Sequence, residues 1–188
     1  MINYPYGKLL KSYLLSRTKE KLKITDESIL EFKAGIFDID PYCEINNGRY
    51  HILSDVGRFD HGFRTGFFRK AIKYKLSFMV AGSTAKYRFR IKYGEKFKMS
   101  TKIIYTDEKW VYYLTNFFSR DQLKSSVLTR TGTIKEGKLL RPAEASEFFD
   151  HQVPKYDLPD WVALWLESDN TYPSFYVTLK FKYTYKIC

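Results

Sequence analysis

The sequence predicts an α+β fold in which a curved antiparallel sheet wraps around one long central α-helix. Three features lead there. After Asn46-Asn47 the apolar residues Ile52, Val56, Phe59, Phe63 and Phe67 recur on one helical face, with Arg49, His51, Asp55 and Arg58 largely off it. From residue 76 onward, segment after segment is rich in Phe, Val, Tyr and Ile or alternates with period two, as half-buried strands do. A lone helix with an apolar face has to bury it, and that run of strands supplies the only surface large enough.

Residues 1–27 read as a basic helical lead-in, with Leu9, Leu10, Tyr13 and Leu14 at helical spacing and Lys8, Lys11 and Arg17 between them. Two roles compete for it: a helix packed on the domain, or a peripheral membrane contact in which residues 1–25 lie on an anionic surface. Residues 29–39 read as a strand. Asn46 or Asn47 then caps the central helix and Gly66 stops it, before a short second helix over 67–73. Strands follow over 76–92, 97–105, 110–118 and 125–135, with turns at Tyr93-Gly94-Glu95, Asp107-Glu108-Lys109 and Gly137. A polar stretch with Pro142 leads to a helix opened by Pro159-Asp160, and 174–186 alternates again as an edge strand or a partner-bound segment. The expected division is a basic N-terminal segment (1–27), a sheet-and-helix domain (28–137) and a C-terminal extension (138–188). This arrangement is the hotdog architecture. Its open sheet edges predict a homodimer, or a dimer of dimers, through sheet extension or helix-face contact.

The 188 residues carry 32 Lys and Arg against 21 Asp and Glu, a net charge of +11, and 18% aromatics that let one domain bury a core despite that charge. Apolar runs such as Phe78-Met79-Val80-Ala81 fall far short of the roughly 20 residues that span a bilayer. The N-terminal segment lacks the apolar block and small-residue cleavage site of a secretory leader, so a cytoplasmic protein is expected. Cys43, Cys188, His51, His61 and His151 show no metal-site spacing, and no metal or cofactor is expected. Packing is the stronger reading of Cys43 than a nucleophile served by His51 or His61. No nucleic-acid module accompanies the basic excess, and no nucleic-acid partner is expected; the charge suits a phosphate-bearing or acidic partner instead.

The chemistry concentrates in Asp38–Tyr50, DIDPYCEINNGRY. A strand running into Asp38 and Asp40, broken by Pro41, crosses to a helix that begins at Asn46-Asn47. A carboxylate thus comes beside a helix N-terminus, where unspent amides and the helix dipole favour negative charge. Such a site holds an oxyanion on backbone N–H groups while the carboxylate attacks or activates water.

This segment resembles that of the acyl-CoA thioesterase-like hotdog proteins, in which D-x-D and a short crossing with His precede Asn-Asn-x-x-Tyr. SDVGRFD (54–60), RTGFFR (64–69), VAGSTAKYRFRI (80–91) and DEKWVYYLTNFF (107–118) extend the likeness. The resemblance implies hydrolysis of acyl-CoA, or of acyl carrier protein thioesters, with an acyl chain lying along the helix. Carried over, Asp40 is the nucleophile or general base, Asn47 and Gly48 are oxyanion donors, and Tyr50 is a pocket wall beside Asn46. Arg88 and Arg90, expected on one face of a strand, are candidates for the phosphates. Asp38 is expected to be structural. Glu44 stands where the family has His; ionised, it cannot donate a hydrogen bond. It either shares a proton with Asp40 or marks lost activity, the latter implying a non-catalytic acyl-CoA or lipid-binding protein.

Overall fold

The computed structural model describes residues 4–149 and 156–171; the alternating stretch 174–186 lies outside them. The elements in order are α1 (Tyr6–Ser16), β1 (Ser28–Lys33), α2 (Asn47–Arg64), α3 (Phe67–Lys73), β2 (Leu76–Tyr87), β3 (Lys96–Thr106), β4 (Val111–Ser119), β5 (Gln122–Lys135), β6 (Lys138–Leu140), α4 (Pro142–Ser146) and α5 (Asp160–Asn170). They fall in two compact units divided after Tyr156, and α5 belongs to the second. Among the described residues no helix is long and apolar enough to cross a membrane.

In the first unit an antiparallel sheet in the order β1-β3-β4-β5-β2, with β6 on the far end of β5, curls around α2. Register shifts after Val80 in β2, after Ile103 in β3 and at Phe117/Phe118 between β4 and β5 supply the bend. The β4–β5 hairpin closes through Arg120 and Asp121, both at positive φ, and β5–β6 through Glu136 and Gly137, also at positive φ. Such two-residue turns match the strand twist. Gly57 lets α2 press against the sheet: a Cβ there would collide with the Thr101 hydroxyl on β3. Leu53, Val56, Met99, Phe117 and Val127 form the dry centre of the core.

Several expectations are corrected. The first strand stops at Lys33, so Asp38 and Asp40 lie in a loop rather than on a strand. The buried face of α2 includes Arg49, Asp60 and His61 beside Leu53 and Val56, because α1 covers the helix flank that the sheet leaves open. There Asp60 accepts hydrogen bonds from Ser12 (2.8 Å) and Ser28 (2.6 Å). β2 ends at Tyr87, so Arg88 and Arg90 do not alternate on a strand. β5 begins at Gln122, three residues early, because Arg120-Asp121 makes a tight turn without a turn-type sequence. In α1 Lys8 and Ser12 point inward, with Ser12 fully buried, while Leu10 and Leu14 face out.

Candidate active site at the start of α2

Asp38–Asn46 folds back on itself as a miniature hairpin. Asn46 N donates to Asp38 O (3.0 Å), Ile39 bridges Ile45, and Asp40 N donates to Glu44 O (2.9 Å). Cys43 takes φ 59° to close the turn and is exposed. The hairpin is laid on the domain by Ile45 N to Ile91 O (2.9 Å) and Tyr93 N to Cys43 O (2.8 Å). It ends at Asn46, the N-cap of α2, whose Oδ1 accepts from Gly48 N (2.9 Å).

The two carboxylates have different surroundings. Asp38 is fully buried and accepts from Arg49 Nε (2.9 Å), Lys8 Nζ (2.7 Å) and Gly35 N (2.9 Å). Burial alone pushes its pKa up; the hydrogen bonds from Lys8, Gly35 and Arg49 outweigh that and hold it below the ordinary carboxylate value. Asp38 is a structural anchor. Asp40 is only partly covered, and its Oδ1 accepts from Tyr42 N (2.9 Å), leaving Oδ2 for other work.

The Gly48 amide is spent on the Asn46 cap, so Gly48 is not an oxyanion donor in this arrangement. Asn47 N, the first amide of α2, has no partner among the described residues and sits in an exposed position. Tyr50 is not a pocket wall: its ring is buried in the core, edge-on to Phe117 at 4.9 Å and near Tyr87 at 5.4 Å. Burial raises its pKa above the ordinary tyrosine value. Glu44 pairs with Arg90 (3.5 Å), and Arg88 donates to Ser126 Oγ (3.0 Å); both arginines are exposed at the end of β2. The structure therefore gathers Asp40, Glu44, Asn46, Asn47 and Arg90 around one hairpin.

A second feature was not foreseen. At the N-terminal end of α2, Tyr87 Oη donates to Asn47 O (2.9 Å) and His51 Nδ1 lies 2.9 Å from Ser83 Oγ. Beyond them an apolar cavity of about 280 Å³ opens, walled by Phe59, Phe68, Phe78, Val111, Leu140 and Phe149. Asp55, Arg58 and Lys109 supply its polar edge. Arg58 pairs with Asp55 and donates to Thr129 Oγ1 (3.0 Å). Burial raises the Asp55 pKa despite that pairing. Phe59 and Phe67 carried a signal in the sequence, but it read as simple core. The α4 wall was missed because Arg141–Ser146 looks polar.

A sheet curled around a single buried helix, with a carboxylate hairpin at the start of that helix, is the hotdog fold of thioesterases. A family model described as the thioesterase-like superfamily matches residues 35–166, and the chain belongs to that superfamily. Protein THEM6 of Danio rerio is 33% identical over 135 residues, covering 71% of this chain and 64% of the relative. The chain thus spans less than two thirds of that curated relative's length. The DHNA-CoA thioesterase of Staphylococcus aureus superposes with a TM-score of 0.58 at 23% identity, over 77% of this chain and 91% of its own. The S. aureus hypothetical protein SAV2348, solved in complex with CoA, gives 0.55 at 16% identity over 75% and 94%. These two likenesses show the shared fold.

Proposed function

We propose that the chain hydrolyses acyl-CoA thioesters at the start of α2. The observation that carries this reading is a partly exposed carboxylate, Asp40, on the hairpin that leads directly into the long helix, whose first amide, Asn47 N, is unspent. In this reaction the thioester carbonyl oxygen takes up negative charge, which Asn47 N and the α2 dipole stabilise. Asp40 either attacks the carbonyl carbon, expelling the thiolate and forming a mixed anhydride that water then hydrolyses, or takes a proton from the attacking water and passes it to the departing thiolate. In both routes the water supplies the thiol's proton and the acid's new oxygen. Coenzyme A leaves as the thiol and the acyl group as a carboxylate. The exposed Arg88 and Arg90 suit the phosphates of CoA, which a protein of the same fold binds. An acidic acyl carrier protein is the less supported thioester donor.

The cavity supplies the acyl end. Asp55 lies eight residues into α2 from Asn47 and Gly62 fifteen, about 12 and 22 Å along a helix. A membrane acyl chain is about 15 Å long, half a bilayer's hydrocarbon thickness. A long-chain acyl group therefore reaches from the hairpin into the Phe-walled space. The assembly is a homodimer through β2, an edge strand that carries no charge before Lys86 and so does not guard its open backbone edge. The test is Asp40→Asn assayed by thiol release across acyl lengths. Turnover falls by about two to three orders of magnitude, the worth of one such transition-state group; unchanged turnover removes Asp40 from the reaction.

A second reading, binding of acyl-CoA or a related lipid without hydrolysis, is favoured by Glu44, which stands at the family's His position and is already paired with Arg90. It expects tight acyl-CoA binding with no thiol released.

A further inference from the structure

Helix α1 is built inside out. Its inward side is polar: Lys8 reaches Asp38, and the fully buried Ser12 donates to Asp60. Its outward side carries Tyr6, Leu10 and Leu14, exposed by 59, 58 and 54%, and is bordered by Tyr13, which is 45% exposed with one ring edge against Phe63 of α2 (centroids 5.2 Å apart). At 100° per residue these four positions lie within one arc of the helix, so the exposure is a continuous stripe rather than scattered side chains. Soluble helices place such a stripe against the core; here polar bonds have claimed the core side, and the stripe is left to another partner.

What covers the stripe follows from three observations. The helix sits at the β1 edge of the sheet, with Lys11 Nζ over the Phe32 ring and Lys19 Nζ donating to Ile29 O (3.1 Å). β1 and β2 are opposite edges, so pairing of two copies through β2 leaves the stripe bare. Four half-exposed side chains of this size offer about 400 Å², half of the about 800 Å² each partner gives to a stable protein interface. The surroundings are cationic: Lys11, Arg17, Lys21 and Lys23 are exposed on α1 and the segment that follows it. A small apolar stripe with aromatic members and flanking cations fits a lipid surface, which accepts shallow insertion and supplies negative charge.

We propose that α1 docks the protein in the plane of an anionic bilayer, inserting Tyr6, Leu10, Tyr13 and Leu14 while Lys11, Arg17, Lys21 and Lys23 meet lipid phosphates and carboxylates. This reading stands apart from hydrolysis and survives its failure. The link to the site is mechanical, since Lys8 on the opposite face of α1 grips Asp38, two residues from Asp40.

The experiment is co-sedimentation of the full chain with phosphatidylcholine vesicles, with and without phosphatidylserine. Binding is expected to require phosphatidylserine and to weaken in high salt. The double variant Leu10→Glu with Leu14→Glu is expected to lower the partition coefficient by at least roughly tenfold, because it removes buried hydrocarbon and adds charge. Ile72→Glu, which alters an 80%-exposed apolar side chain on α3, leaves binding unchanged. Amide hydrogen exchange of the unaltered chain provides the readout that no misfolding variant can spoil: peptides over 6–16 exchange more slowly on phosphatidylserine vesicles. No sedimentation with those vesicles, unprotected α1 amides, or binding indifferent to the double variant overturns the proposal. So does a drop in solution mass caused by that variant, which assigns the stripe to self-association.

Discussion

At its first turn α2 is surrounded by polar atoms that hold backbone in place, whereas from its third turn on it borders hydrocarbon. The hairpin end has Asp38 gripped by Arg49, Lys8 and Gly35, and an Asn46 cap that uses up the Gly48 amide. The cavity end has Phe59, Phe68, Phe78 and Phe149 around about 280 Å³, with one ion pair at its edge. Under the proposed hydrolysis, rigidity is concentrated where a reacting carbonyl would have to be placed within tenths of an ångström, and open space where a chain of variable length would have to fit. One helix connects the two, so errors at one end need not disturb the other.

The sharpest way to break that comparison is to exchange the fates of the two acidic residues. Asp38→Ala leaves the buried Arg49 without its carboxylate, and removing one partner of a buried pair typically costs about 3–5 kcal/mol. Thermal unfolding should therefore drop by roughly 10 °C or more for a chain of this size. Asp40→Ala gives up one exposed hydrogen bond to Tyr42 N and should cost about 1 kcal/mol or less. Equal melting temperatures for the two variants would show that the hairpin is not anchored through Asp38.

The two ends also titrate in different ranges. His61, buried at the cavity end of α2, has its pKa pulled from 6.5 down to about 4 by burial, against weaker opposing effects from the backbone of Asp26 and Ile24. The unfolded chain binds a proton there first, so stability is intact above pH 6.5 and falls as pH drops toward 4, by about 3 kcal/mol in all. Asp38 acts at lower pH: its folded pKa lies below the ordinary 3.8, so its contribution persists above that value and is lost only as pH falls through the folded pKa. Denaturant midpoints for His61→Phe should lose the slope between pH 6.5 and 4 and keep the steeper acid loss. A retained slope would place the titration elsewhere.

A third substitution sharpens the cavity end alone. Ala145 on α4 is buried at the cavity wall, and Ala145→Phe fills space that an acyl chain would take. Excluding two or three methylenes at about 0.8 kcal/mol each predicts a roughly fifteen- to sixty-fold loss in kcat/KM for the longest substrates. Short acyl-CoAs should be untouched. A loss that is uniform across lengths would mean that the cavity does not hold the chain.

The sequence was most legible where local chemistry acts alone. Asn46 as a cap, the helix after it, and the alternation of β3 could be read directly because capping and period-two burial need no distant partner. Polar residues that serve tertiary structure were not legible. Ser12, Asp38 and Asp60 look like surface residues until folding brings them within hydrogen-bond distance across 30 to 48 positions. The inversion of α1 follows from the same blindness: a leucine stripe predicts burial, and only the Lys8 and Ser12 contacts show which side is already taken. At the site, the motif pointed to Asp40 and Asn47, which the fold places on the hairpin and at the first turn of α2. It could not show that the Asn46 cap occupies Gly48 N or that Tyr50 is claimed by Phe117.

The smallest expected effect concerns Glu44. Its partner Arg90 is 65% exposed, and such pairs contribute about 0–1 kcal/mol, so Glu44→Gln should leave the melting temperature unchanged. The kinetic consequence depends on what the hairpin end lacks. An ionised glutamate can only accept hydrogen bonds, whereas histidine at that position donates one. With Asn47 N as the sole unspent amide identified at the helix start, a donor from residue 44 would add a second contact to the developing oxyanion or orient the Asp40 carboxylate. Glu44→His should therefore raise kcat, by about fivefold if the added bond is worth 1 kcal/mol, with little change in KM. A fall in kcat would instead make Glu44 a working member of a carboxylate pair with Asp40.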